Sequence, residues 1–524
     1  MSRVDSAPPP MPHAPRPSSL GVVGAGGAAT ALLHALAEQA ERTAHPDTAD
    51  GRLPRHIVVF ERSGIPGPGA VYQEDLDSAR INREADHMSV SSTDLRHFAT
   101  WRLENGTDGD PFPGRGVFGG YLRERFATAV RRLRALGTAV DLVHDEVVNL
   151  LPTEPIRLIT RSRRDWTVDE LVLAMGNPPQ PDLYHLHGAP DYHREPFPLT
   201  RLLAAVPSGA SVAVLGTGLA AVDIAIALSG SGHRGPVHLL SRTGMLPRVR
   251  AALPPVRLTH FTPERLVQRA AGRPGLDLRD LAELLQRDAG PHLPPLAGIL
   301  RRARRAGAAD EVLRAQLAGE QQDIAAWQQV LAATNPAVEH AWRLLRPDAR
   351  NLLFQRYHRP LTNLRNPMPP VNARLLLDLM DAGALHVRGG LLHVGAYANG
   401  PFYTVLAADR PAPDVQEFDV VISAVGPDPG VGGLRAMPLT ASLVNQGLAR
   451  PHRYGGLTVT PDQALVGADG RSDPRIRIIG NLTAGTFYYT SSMEMVARQA
   501  ERLAGLLRIP PADRHSAAPL EVAA

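Results

Sequence analysis

The chain contains no cysteine and no lysine in 524 residues. Without cysteine there is no thiolate nucleophile, no thiolate-held metal and no redox disulfide. Without lysine there is no Schiff base, no pyridoxal-phosphate anchor and no Walker-type phosphate loop. All 56 basic residues are therefore arginine, set against 52 acidic ones for a net charge of +4. The sequence pI near 9.6 follows, but the arginines are spread along the chain. The RRARR cluster at 301–305 lies in an amphipathic helical stretch, so a solvated helix face is favoured over a nucleic-acid stripe. Long hydrophobic runs are missing too. The longest, SVAVLGTGLAAVDIAIAL, is interrupted by Asp223, and the proline-rich start lacks the apolar core of a signal peptide. The expectation is a soluble, cytoplasmic protein that binds neither membrane nor nucleic acid, its oligomeric state open. A hydrophobic content of 44% is ample for two or three cored domains.

Two glycine-rich turns of one kind are what the chain does have. LGVVGAGGAATALLHAL carries Gly24, Gly26 and Ala29 at the G-x-G-x-x-A positions, and SVAVLGTGLAAVDIAIAL carries Gly216, Gly218 and Ala221. An apolar strand enters each turn and an Ala/Leu-rich helix leaves it. The first glycine permits the tight turn, the second admits a pyrophosphate, and the small third residue lets helix pack on strand. The pyrophosphate then meets the unpaired N–H groups of the helix. One such motif is weak evidence, but two in the right context predict two nucleotide cofactors on one chain. With no thiols of its own, the protein cannot be a disulfide reductase working through them.

The surrounding segments extend the pattern. The second strand, HIVVFE, ends at Glu61, where a ribose hydroxyl needs an acceptor; the polar loop before it lengthens the usual spacing of ~20 residues. Helices are expected at 28–41 and 121–135, and LVLAMGN runs apolar residues into Gly176, a pattern that FDVVISAVGPDP repeats. In the second unit the strand PVHLLSR ends in Ser241 and Arg242 instead of an acid, which suits a 2′-phosphate and favours NADPH over NADH. A surface arginine without a ligand is the alternative. Leu313, Leu317, Ile324, Trp327 and Leu331 read as one apolar helical stripe, core in preference to cofactor box. The resulting fold class is α/β, two Rossmann-like dinucleotide-binding domains with a helical insertion. The division expected is a disordered leader at 1–18, an FAD domain at 19–182 and 431–509, an NADPH domain at 183–262 and 358–430, an insertion at 263–357 and a disordered tail at 510–524. The histidines of YHLHGAPDYH (His185, His187, His193) read as a surface loop in preference to a metal site.

In this order the segments resemble the FAD- and NADPH-dependent (class B) monooxygenases that N-hydroxylate amines. The subgroup most alike has a G-x-G-x-x-Y segment after the acidic strand, here Gly67, Gly69 and Tyr72, then Ile81-Asn82, Met88-Ser89, Phe98 and Trp101. Nitrosuccinate synthases, which oxidise L-aspartate on nitrogen in specialised metabolism, are similar to this subgroup. Urate-hydroxylating flavoproteins are similar in outline. The resemblance implies that Gly24, Gly26, Ala29, Glu61, Gly69, Tyr72, Asn82, Met88 and Ser89 hold FAD, together with Gly480 and Asn481. Asn481 stands where many flavoproteins have aspartate. Arg115 and Tyr121 match an Arg-…-Tyr-Leu signature. Asp419, Ala424, Gly426 and Pro429 match the D-x-x-x-x-A-T-G-x-x-x-P element, with Val425 in place of threonine. Gly216, Gly218, Ala221, Ser241 and Arg242 are then the NADPH residues. The implied reaction passes oxygen from a C4a-hydroperoxyflavin to a small amine or amino acid. The lysine that clamps substrate in ornithine hydroxylases is absent, so arginine must hold the carboxylate, with Arg359 and Arg365 the candidates. The rival reading of these two is a structural turn. An NADPH:acceptor reductase, or a flavin-holding protein with one vestigial nucleotide site, remains an alternative class. No general base can be named from the sequence.

Overall fold

The structure is a computed structural model that describes residues 19–43, 53–304, 307–398, 400–407 and 413–507. The expected leader and tail fall outside them. In the first unit β1 (Ser19–Val23) enters α1 (Gly27–Thr43), and β2 (His56–Phe60) returns parallel to β1. Next come α2 (His97–Glu104) and α3 (Arg115–Ala135), the latter packed along α1 and begun six residues earlier than expected. Its early turns hold Gly116, Gly119 and Gly120, which weaken the helical signal. After β3 (Ala139–Val143), the strands β4 (Val147–Leu151), β5 (Ile156–Thr160) and β6 (Asp165–Val168) form a small antiparallel sheet. Then β7 (Glu170–Leu173) slots in beside β1.

The second unit repeats the plan with β8 (Tyr192–His193), α4 (Leu199–Ala205), β9 (Val212–Leu215), α5 (Leu219–Gly230) and β10 (Val237–Leu240). A run of helices from Pro263 to Asp381 precedes β11 (Leu385–Arg388). A second antiparallel sheet, β12 (Leu391–Ala396), β13 (Phe402–Leu406) and β14 (Asp414–Phe418), leads to β15 (Val420–Ser423) beside β9. Finally β16 (Ala464–Val466) and β17 (Ser472–Ile478) rejoin the first sheet, and the helix Met493–Leu507 lies on α1. The two large sheets have the orders β16-β17-β7-β1-β2-β3 and β11-β10-β9-β15-β8.

The same bonds set both sheets. Ser19 donates through N and Oγ to Asp169 at 2.8 and 2.9 Å, and Ser211 donates likewise to Asp419 at 2.8 Å each. Each serine–aspartate clamp fixes the register of a strand pair at the end away from the glycines. At the glycine end, an ideal Cβ on Gly24 would lie 2.5 Å from the Ala174 carbonyl oxygen; on Gly216 it would lie 2.5 Å from that of Ala424. Both glycines have positive φ, +94° and +125°. No other residue type fits either position.

One expectation changes. Leu313 lies on the helix Ala309–Leu317 and Ile324, Trp327 and Leu331 on Gln322–Ala332, so they do not form one stripe. Gly319, at φ +76°, turns the chain between them. Leu313 packs into the core around β9 and α5, whereas the other three fill the core of the helical region. That core also takes Leu364, from the helix His358–Arg365.

Gly216→Ala is expected to lower unfolding free energy by at least about 1–3 kcal/mol, the cost of forcing a side chain into a strained backbone position. Urea unfolding measures this. Gly209→Ala, where an added Cβ meets nothing within 4 Å, is expected to stay within about 0.5 kcal/mol of wild type. Equal losses in both would show that the carbonyl contact at Gly216 is not limiting.

Candidate functional site

The first turn is tied to its acidic strand end. Gly24 N–H donates to Phe60 O at 2.9 Å, and Ala25 N–H to Glu61 Oε2 at 3.0 Å. Glu61 Oε1 accepts from Ser63 N and Oγ, both at 2.8 Å. The carboxylate is thus aimed by the turn itself and keeps lone pairs for further donors. Ala29 is fully buried, as tight helix–strand packing needs. Gly480 arrives from the other end of the chain: an ideal Cβ on it would lie 3.8 Å from Ala28, in the first turn of α1. Beside it Asn481 donates to Asn177 Oδ1 at 2.7 Å and accepts from Thr490 Oγ1 at 3.1 Å. Asn177 follows Gly176, whose φ is +74° and whose missing Cβ faces open space.

Gly26 also stands against backbone from further along the chain. Its built Cβ comes within 3.4 Å of Gly69 Cα, and Gly67 N–H bonds to Ala25 O at 2.7 Å. The segment from Gly67 therefore lies across the turn as a strap. Tyr72 continues it, half-buried and edge-on to Phe118 at 4.7 Å. Met88 is buried in the core with α1, and Ser89 Oγ donates to Asp94 O at 2.7 Å, ordering its own loop. Asn82 presents its carbonyl to the Arg250 guanidinium at 3.0 Å. Phe98, Trp101 and Tyr121 join one buried aromatic cluster, in which Tyr121 Oη meets His97 Nδ1 at 2.7 Å.

The second turn is more open. Gly218 caps α5, and nothing lies within 4 Å of its built Cβ or that of Gly426. Ala221 is fully buried. Ser241 Oγ accepts from Gly244 N at 2.9 Å and contacts Thr217 Oγ1 at 3.1 Å, so its hydroxyl shapes the turn. Arg242 next to it is exposed. Both cradles fit a dinucleotide: each has room at the strand ends, buried alanine behind, and a strand-end group of the right character.

A cavity of about 510 Å³ opens between the segment 83–111, which includes α2, the loop around Arg250 and the helical region. Its wall is of mixed charge. Arg83 meets Glu494 at 3.1 Å, Arg250 meets Glu84 at 3.5 Å and Arg96 meets Asp86 at 3.6 Å. Arg102 and Arg365 are different. Arg102 donates to Thr107 O at 2.8 Å and Asp110 O at 2.7 Å. Arg365 donates to Leu331 O, Thr334 Oγ1 and Asn335 Oδ1, with its guanidinium 4.2 Å from the Tyr489 ring centre. Neither has a carboxylate partner among the described residues. His87 also lines the cavity; burial first, then the nearby Arg83 charge, holds its pKa below the ordinary imidazole value. Tyr489 and Thr490 connect this wall to Asn481 and so to the first cradle.

The structure separates the two arginine candidates. Arg365 is on the cavity wall, whereas Arg359 is exposed on the same helix and does not line it. Sequence reading missed Arg83, Arg250, Asn335 and Glu494, which lie far apart in the chain and carry no local motif. Asp419 is placed as a register clamp, not among the groups at the glycine end. His185 and His187 sit in a turn and His193 on β8; among the described residues no three His, Asp or Glu side chains gather as a metal site. No helix of the described residues is long and apolar enough to cross a membrane.

Residues 21–178 match the family model described as FAD-NAD(P)-binding. No curated protein sequence matches the chain. Among solved structures, it is similar to L-lysine 6-monooxygenase from Pseudomonas syringae, at 16% identity and a TM-score of 0.55, covering 94% of this chain and 99% of that one. It is similar also to ornithine hydroxylase from Pseudomonas aeruginosa, at 16% identity and a TM-score of 0.52, covering 94% and 98%. A third is the ornithine N-hydroxylase of Kutzneria sp. 744 with reduced FAD, NADP+ and L-ornithine: 14% identity, TM-score 0.53, covering 93% and 98%. At these identities the likeness establishes a shared fold.

Gly26→Val is expected to displace the strap, since even a Cβ stands 3.4 Å from Gly69. The variant should purify without bound FAD, read from the visible spectrum of the native and heat-released protein. A folded variant with full flavin would remove the first turn from the flavin site.

Proposed function

We propose that the protein is a monooxygenase that uses FAD and NADPH to place one oxygen atom of O2 on the nitrogen of a small amine or amino acid, with L-aspartate the leading substrate. The observation that carries this reading is Arg365, an arginine without a carboxylate partner among the described residues, on a cavity linked to a nucleotide cradle. The shared fold with ornithine and lysine oxygenases supports the reaction class. One round consumes NADPH, a proton and O2 and yields the hydroxylamine, NADP+ and water. Aspartate carried through further rounds ends at nitrosuccinate.

Glu61 would accept from the FAD ribose and the α1 N-terminus would face its phosphates, with Gly480 and Asn481 alongside. The flavin supplies hydride acceptance and oxygen activation when bound. Gly218 leaves room for the NADPH pyrophosphate and Arg242 for its 2′-phosphate. Arg365 would hold the substrate carboxylate, its geometry set by the three oxygens that already share its guanidinium. The substrate amine must be neutral to accept oxygen, and His87, an imidazole kept neutral by burial, would take its proton.

Arg242→Ala is expected to raise the KM for NADPH at least about tenfold and leave that for NADH nearly unchanged, since only the phosphate contact is lost. An equal effect on both nucleotides would overturn the NADPH assignment. Arg365→Met is expected to uncouple the enzyme: NADPH oxidation continues, but oxygen leaves as hydrogen peroxide. Loss of the carboxylate contact should weaken aspartate binding by about 1.5–3 kcal/mol, roughly ten- to a hundredfold. Arg359→Ala should behave as wild type. Peroxide yield and product mass, measured with and without aspartate, decide the substrate. If aspartate changes neither, another amine, or a purine such as urate, must be tried before the class is kept.

A further inference from the structure

Asp223 is an acid in the wrong company. It stands on α5, in the stretch LAAVDIAIAL whose other buried residues are all apolar, and its side chain is only 4% exposed. The helix is the one that leaves the second glycine turn. Arg115, the first residue of α3 in the other unit, donates to its carboxylate. Arg115 also donates to Arg80 O at 3.3 Å and lies 5.4 Å from the Phe197 ring centre. One guanidinium thus touches α5, the end of the strap and the connection into α4.

The strap reaches the second unit by two further routes. Asp75 accepts from Leu199 N at 2.8 Å and Thr200 N at 3.2 Å, closing the start of α4. Ala79 is buried in the core built on β9 and α5, with Leu76 packed against it. Its other end lies on the first glycine turn through Gly67 and Gly69. A continuous line therefore runs from one turn to the helix of the other. Replacing a buried ion pair by apolar residues of like volume often costs no stability, so the pair is better explained by the one arrangement it specifies.

We propose that the Asp223–Arg115 pair is a buried ionic pin that fixes the second dinucleotide fold against the first, making Asp223 a positioning residue for hydride passage between their cofactors. The inference rests on the two-cofactor reading given above. Arg115 and Asp75 are the charged groups that face Asp223 from α3 and the strap. Burial, helped by the charge of Asp75 and opposed by Arg115, raises the Asp223 carboxyl to about 6. Protonation as pH falls through that value removes the pin.

Two measurements on the full chain test this. The first needs no added nucleotide: hydrogen exchange of the protein as purified. Asp223→Asn, nearly the same shape, is expected to raise exchange at 75–80 and 219–230 and leave β1 and β2 protected. The second is anaerobic reduction of the bound flavin by NADPH in the holoprotein. Asp223→Asn and Arg115→Gln should each slow it roughly ten- to a hundredfold, the scale of an ångström-sized misplacement, and the double variant should be no slower than the worse single. FAD content, NADP+ affinity and reoxidation by O2 should stay as in wild type, and Arg115→Lys should recover most of the rate. In wild type the reduction rate should fall below about pH 6, a break that Asp223→Asn abolishes. Unchanged exchange, unchanged reduction rates or additive losses in the double variant would overturn the pin alone. Wild-type flavin that NADPH cannot reduce would overturn the two-cofactor reading, and the pin's role in hydride passage with it; altered exchange would still mark the contact.

Discussion

A carbonyl oxygen occupies the space where a side chain would begin at Gly24, and another does so at Gly216. The rest of the architecture depends on that approach. In each unit the oxygen belongs to the residue just after a strand that returns from far along the chain, β7 in one and β15 in the other. The returning strand must stop one residue short of the glycine with its carbonyl turned inward. Its register is therefore specified at both ends, by a serine–aspartate clamp at the base and by a steric limit at the top. A slip of one residue would turn every side chain of a doubly buried strand over. What remains beyond the strand ends is a cleft floored by glycine, where Gly176 and Gly426 leave open space. A cofactor site here follows from how a parallel sheet is closed.

Much of this was legible because it is local. The helix expected at 28–41 is found at Gly27–Thr43, and strands running into glycine need only neighbours in sequence to be seen. What could not be read depends on partners far away. Asp169 and Asp419 precede apolar strands, but nothing nearby says that Ser19 and Ser211 will receive them. Leu313 and Trp327 share a helical period, yet the turn at Gly319 sends them into separate cores. The Met88 side chain packs into the first core and that of Ser89 orders its own loop, uses that depend on residues not adjacent to them in sequence. Asp223 was visible only as an interruption of an apolar run. Its partner lies 108 positions earlier, on the first turn of a helix whose expected start is 121.

The strap from Gly67 to Arg80 illustrates how a short motif can do two things. Glycine is required on both sides of its contact with α3 because backbone lies against backbone: a Cβ on Gly67 of the strap would sit 2.5 Å from Arg123 Cα, and one on Gly119 of α3 would meet Tyr72 O at 1.9 Å. Those contacts hold the strap on α3 and the first turn. Its far half then enters the second core. The first turn and the second core are therefore joined through the strap of residues 67–80.

The absence of lysine has a structural consequence at the cavity. An ammonium is a point charge that one carboxylate can satisfy, whereas a guanidinium presents five donors in a plane. Arg102 uses its donors on the carbonyls of Thr107 and Asp110, closing a loop at the rim. Arg365 spends its donors on a carbonyl, a hydroxyl and an amide, tying its helix to the end of Gln322–Ala332. Both are fixed by neutral oxygens, and the Arg365 Nε–H still has no partner among the described residues. Arg83, Arg96 and Arg250 differ, since each stands near an acid. Two arginines without a carboxylate partner among the described residues are thus held by neutral oxygens, on a wall that also carries the carboxylates of Glu84, Asp86, Asp108 and Asp110.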